Sequence, residues 1–215
     1  MEENLYQTQY DVTKKSKIKR FYESNKVIIF SILLIIVISF ASIGFYLSRV
    51  ENKITLLSND YIDAKVLLEN GKKNEAKVIL ENIILSNNST YSTLSLFLVL
   101  NQNLITNEKE LLSLFNHVLE NNKFEKEIKN LIILKKALFQ SSFIKESELI
   151  EVLKPLVNTE TVWKPHALLL LGDYFYSKKE FLKSKEFYMQ ALSLKNLDQE
   201  LRDHATLQIG FIADD

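Results

Sequence analysis

The sequence predicts an all-α protein, with a single N-terminal transmembrane helix followed by a solenoid of helical hairpins. Three observations lead there. Val27–Leu47, VIIFSILLIIVISFASIGFYL, runs 21 residues without a charged side chain, and at ~1.5 Å per residue such a helix spans the roughly 30 Å hydrocarbon layer of a bilayer. Four Gly and two Pro in 215 residues are too few for the many tight turns of a sheet protein. From about residue 50 onward, apolar residues recur at helical spacing in segments separated by short polar stretches.

The tail, 1–26, carries Lys14, Lys15, Lys17, Lys19, Arg20 and Lys26 against Glu2, Glu3, Asp11 and Glu23. Its first dozen residues lack periodicity and are expected to be disordered. The basic cluster is read as a topology signal, with contact to anionic headgroups as the alternative. The apolar run 27–47 has no polar face, which argues against a buried core helix. Ser39-Phe40-Ala41 offers a small-x-small cleavage pattern. The run nevertheless exceeds the ~7–15 apolar residues of a signal peptide, so it is read as a retained anchor. Only Arg49 and Lys53 follow it closely, so the positive-inside rule places the N-terminus in the cytoplasm and the remainder across the membrane. In a bacterium this is an inner-membrane protein with a periplasmic domain. Phe21 and Tyr22 before the span, and Phe45 and Tyr46 at its end, suit the two interfaces. Ala41, Gly44 and Ser48 share one face and are the candidate contacts to a partner helix.

The domain 48–215 is nearly neutral and large enough for its own core. Its helices are expected at 50–70, 73–86, 90–105, 107–121, 124–140, 145–157, 164–177, 179–195 and 198–212. Gly71 separates the first pair and Asn87-Asn88-Ser89 marks the next turn. Thr106 is the expected cap of the helix from 107, and Pro165 suits the first turn of the helix from 164. The last helix places Leu201, Ala205, Ile209 and Ile212 on one side, as a terminal capping helix does. Asp214 and Asp215 oppose its dipole, so its final turn is expected to fray.

Within this domain Ala167–Leu192 reads as one helix-turn-helix unit. Leu168, Leu171 and Phe175 share a face of the first helix, and Tyr188 and Ala191 a face of the second. Gly172 and Ser184 are small where the two helices pass closest. That order of small and large residues resembles the tetratricopeptide repeat signature. A second copy starts at Tyr61, with Ala64 and Leu67 in the places of Gly172 and Phe175. Ala76, Leu80 and Ile83 then stand for Ser184, Tyr188 and Ala191. Ala64 and Gly172 lie 108 positions apart, three repeats of 36, close to the ~34 of that repeat. The two intervening units keep amphipathic helices without the signature.

Chemistry-bearing motifs are absent. The chain has no cysteine, which excludes disulfides and thiol chemistry. His117, His166 and His204 lack a second ligand at metal-binding spacing, and there is no phosphate-binding glycine loop or GxSxG elbow. Equal numbers of basic and acidic residues, 27 each, give nothing to attract nucleic acid. No cofactor or small-molecule substrate is therefore expected. Trp163, the only tryptophan, is read as a packing residue between units. Of Tyr174, Tyr176, Phe181, Phe187 and Tyr188, most are expected in the core, and those on the first helix facing away from its partner are expected to line a peptide groove.

From KRFYESNK before the span, through Ala64–Leu80 with its central GKKNEA, Thr90-Tyr91-x-x-Leu94 and Leu171-Gly172-Asp173 to Leu201-Arg202-x-x-Ala205, the chain resembles the YfgM-like family of ancillary SecYEG translocon subunits. The resemblance implies an inner-membrane protein with a periplasmic tetratricopeptide-like domain. Its implied partners are Sec translocon subunits, periplasmic chaperones or exported polypeptides, and it implies no catalytic residue. The weak middle repeats and the Lys- and Asn-rich surface depart from the better-known members and bear on which partner is used. The expectation is a non-enzymatic membrane-anchored adaptor. The alternatives are a scaffold for envelope assembly or division proteins, and an enzyme whose site is built from residues distant in sequence.

Overall fold

The computed structural model describes residues 17–214. The first dozen residues, Lys14, Lys15 and Asp215 lie outside them. Every regular element among the described residues is a helix, as sparse Gly and Pro and 3.6-residue periodicity require. Packing divides the chain into two units, one ending at Leu56 and one beginning at Leu57.

Helix α1 is continuous from Lys17 to Glu69, 53 residues. The expected separation between a span at 27–47 and a helix from 50 does not occur. Arg49, Glu51 and Lys53 end the apolar run, but neither Gly nor Pro stands between Gly44 and Gly71 to end the helix. This is a helix long and apolar enough to cross a membrane, and none of its most apolar window is buried. Ala41, Gly44 and Ser48 are exposed, and a Cβ added at Gly44 would meet nothing within 4 Å. At the end of the apolar run the Arg49 guanidinium lies 4.8 Å from the centre of the Phe45 ring.

In the second unit, α1 from Leu57 is followed by α2 (Lys73–Ile84), α3 (Ser89–Asn101), α4 (Glu108–Asn121), α5 (Lys126–Gln140), α6 (Glu146–Val157), α7 (Lys164–Ser177), α8 (Phe181–Leu192) and α9 (Gln199–Asp214). From α2 onward each helix packs on the next, and α7 also packs on α5 and on α9. Leu57, Ala64, Ala76, Leu80 and Ile83 share one buried cluster with residues of α3, α4 and α5. A second cluster joins α5, α6 and α7, with Leu149, Leu153 and Leu156 fully buried. Each such leucine contributes about 1.5–3 kcal/mol by leaving water. Leu168, Tyr188, Ala191 and Ala205 form a third, against which Leu201, Ile209 and Ile212 pack.

The turns explain the helix ends. Gly71 takes φ +76° and closes α1, with Lys72 N–H donating to Leu67 O at 2.9 Å. Lys179, 108 positions later, takes φ +60° after α7, with Glu180 N–H donating to Phe175 O at 2.9 Å. The two turns thus share one geometry, in which the left-handed residue lets the next amide reach back to the helix. Only the first has the residue suited to it. Lys179→Gly is therefore expected to stabilise the protein by about 1 kcal/mol, since a side chain in this region costs ~1–2 kcal/mol. A raised urea midpoint at unchanged slope is the expected readout, and an unchanged midpoint would show the turn unstrained. At α4 the cap is Asn107, not Thr106. Its side chain accepts from Lys109 N–H at 3.0 Å and Glu110 N–H at 3.1 Å, since the residue whose oxygen can reach the second and third amides does the capping. Pro165 lies in the first turn of α7, as expected.

Candidate functional site

The predicted signature residues are packing residues. Ala64, Ala76, Leu80, Phe175, Ser184, Tyr188 and Ala191 have no exposed surface, Leu168 and Leu171 have almost none, and Leu67 is half-buried. Gly172 and Ser184 meet directly, the Ser184 hydroxyl donating to the Gly172 carbonyl at 2.9 Å. The Tyr188 ring lies over Gly172 so closely that a Cβ there would stand 2.6 Å from Cδ1.

Around this contact the structure joins three residues that the sequence leaves apart. Asp173 Oδ1 accepts from the Tyr188 hydroxyl at 2.7 Å and from His204 Nε2 at 2.8 Å. A ring nitrogen facing a carboxylate oxygen carries the proton. One carboxylate oxygen thereby ties α7, α8 and α9 together. Burial, then the bond to Asp173, pushes the Tyr188 hydroxyl well above the usual tyrosine range. The phenol is fully buried, whereas the Asp173 and His204 side chains keep partly exposed surface. His204 and Asp173 are 31 positions apart, which no local motif reveals.

The site best formed to receive a ligand is a cleft of roughly 560 Å³ whose floor is α7 and whose walls are α5 and α9. The floor presents His166, Leu169, Leu170 and Asp173. Leu131, Leu134, Lys135 and Leu138 come from α5, and Glu200, Leu201 and His204 from α9. An apolar lining with a few convergent polar groups is the usual make-up of a binding cleft. A larger depression of about 820 Å³ lies among the turns at 160–165 and 193–196. Seven of its ten lining residues are polar, and it offers less apolar surface to a partner.

Trp163 edges the cleft at the start of α7. Its indole N–H donates to the Glu127 carbonyl at 2.8 Å, and Thr161 donates to the Glu127 carboxylate while accepting from Asn130 at 3.0 Å. The loop before α7 is thus fastened to the first turns of α5, which sets the spacing of wall and floor. The packing role expected for Trp163 fits these contacts, and the residue also borders the cleft. His166 lies beside it, ring centres 5.5 Å apart. Its Nδ1 is buried without a partner. Burial lowers its pKa, opposed by the charge of Asp198, which favours the neutral ring.

The aromatic groove expected on α7 is not formed. Tyr174 is buried, its hydroxyl donating to Ile144 O at 3.3 Å, and the Tyr176 ring lies tilted against Phe181 with centres 5.7 Å apart. Phe175 stacks on Phe187 at 5.4 Å. Aromatic rings bury the most area, so these face the neighbouring helices, and the apolar lining of the cleft comes from leucines with Trp163 at its edge. Among the described residues no three His, Asp or Glu side chains are grouped to hold a metal. No family model, curated protein or solved structure matches this chain.

Proposed function

We propose that this chain is a non-enzymatic, membrane-anchored adaptor that holds a polypeptide partner in the α5–α7–α9 cleft. The observation that carries this reading is one chain with both an apolar helix long enough to span a bilayer and a helical unit with an apolar cleft. The repeat signature at Ala64 and Gly172, the matching turns at Gly71 and Lys179, and the packing of α7 on both α5 and α9 support a tetratricopeptide-like solenoid. The resemblance to YfgM-like translocon subunits adds the partner class: Sec translocon subunits, periplasmic chaperones or exported chains. In this reading the N-terminus is cytoplasmic and the cleft is periplasmic. Anchoring raises the local concentration of the cleft near its partner, which turns a weak contact into an effective one.

The test is crosslinking in native membranes followed by mass spectrometry, with two baits. One is the full chain and the other has Val27–Leu47 replaced by an unrelated span. Translocon subunits enriched only with the native span are the expected result. Recovery of the same envelope proteins by both baits, with no translocon subunit, would replace the adaptor by a scaffold of envelope assembly or division proteins.

A further inference from the structure

The two walls of the cleft carry opposite charge. On α5, Lys135 stands one turn from both Leu131 and Leu138, and its ammonium pairs with no other described residue. On α9, Glu200 stands one turn before His204, and its carboxylate pairs with none either. Asp173 adds a second carboxylate at the α9 side, where it holds His204. Between the walls the floor presents Leu169 and Leu170, at 5% and 8% exposure, between His166 and Asp173.

An extended peptide laid on such a floor finds no strand edge among the described residues to pair its backbone amides and carbonyls. A helix satisfies its own backbone and presents only side chains. We propose that the cleft holds a short amphipathic helix, apolar towards α7, with a basic flank towards Glu200 and Asp173 and an acidic flank towards Lys135. The proposal rests on the reading of this cleft as a polypeptide site and adds the conformation and charge pattern of its occupant. A helix has two lengthwise directions in a groove, and walls of opposite charge admit one of them. The charges thus set the direction of the bound helix as well as its identity.

Trp163 supplies the readout, since it edges the cleft and is the only tryptophan. The full chain in lipid nanodiscs is titrated with three tryptophan-free helical peptides that share one leucine stripe. Their flanks are lysine on one side and glutamate on the other, lysine on both, or glutamate on both, and empty discs serve as the blank. The mixed-flank peptide is expected to shift Trp163 emission saturably and to bind about fivefold tighter than either other peptide, since each partly exposed pair adds little. Glu200→Lys is expected to shift the preference to the all-glutamate peptide, and Lys135→Glu to the all-lysine one. Neither side chain has a partner to lose, and an unchanged thermal melt checks that folding is intact. Equal binding of the three peptides, or a preference that ignores both reversals, overturns the charge assignment and leaves the polypeptide site standing. No saturable change with any peptide overturns the site itself.

Discussion

Gly172→Ala is expected to destabilise the helical unit by about 1–3 kcal/mol, although alanine is the better helix former by ~1 kcal/mol. The new methyl would stand 2.6 Å from Cδ1 and 2.9 Å from Cζ of Tyr188, well inside contact distance. The ring cannot step aside cheaply. It is fully buried and its hydroxyl is held by Asp173 at 2.7 Å. Moving α8 instead would stretch the Ser184 bond to the Gly172 carbonyl. For a chain of this size the loss corresponds to a melting shift of roughly 2–4 °C per kcal/mol. Tyr188→Leu also destabilises, by removing ring packing and leaving Asp173 with one partner fewer. In the double variant the methyl enters space that the ring has left, so its cost is expected to be less than the sum of the two single ones. A neutral or stabilising Gly172→Ala would show that the helices yield here, and the close approach would lose its status as the determinant of the unit.

Placing two arginines in the apolar run, Leu34→Arg with Val37→Arg, is expected to abolish stable membrane association. Each charge at the centre of a span costs ~2.5–3.5 kcal/mol on the insertion scale, and the replaced side chains favour insertion slightly. The pair therefore opposes insertion by about 6 kcal/mol, more than flanking residues restore. The wild-type chain is expected to stay with membranes through an alkaline carbonate wash, and the double variant to be released. The unit from Leu57 has its own core, so its helical circular dichroism is expected to persist in the released chain. A double variant that still sediments with the membranes would show attachment by another surface. A wild-type chain released as readily would mean that the apolar stretch is covered by protein instead of lipid.

Sequence and structure divide according to the range of the physics involved. The helices of the second unit lie close to their expected positions because apolar periodicity and scarce Gly and Pro act within a turn or two of the chain. The apolar run was legible for the same reason. Hydropathy and helicity are separate properties, however, so the charges after Leu47 ended the first without ending the second, and α1 runs on to Glu69. The small residues at Gly172 and Ser184 could be read as a close approach from their order alone. In the middle units the small residues Ser92, Ser95 and Ala137 are fully buried, and Ser92 donates to the Ile83 carbonyl at 3.1 Å. These residues carry no shared register, so nothing in the repeat pattern pointed to them.

The site was the least legible part. Residues 167–171 are apolar on every side and all buried, so no amphipathic face indicated which leucines border the cleft. Nor did local spacing announce that Glu127, Thr161 and Trp163 would fasten one wall, or that Asp173 would meet His204. By itself the sequence determined an all-helical chain with one long apolar helix, the approximate helix borders and the tight Gly172 contact, since each follows from neighbours within a few turns. Only the tertiary structure decided which faces of α5, α7 and α9 enclose a cleft and which charges line it, because those are set by packing between residues more than 30 positions apart.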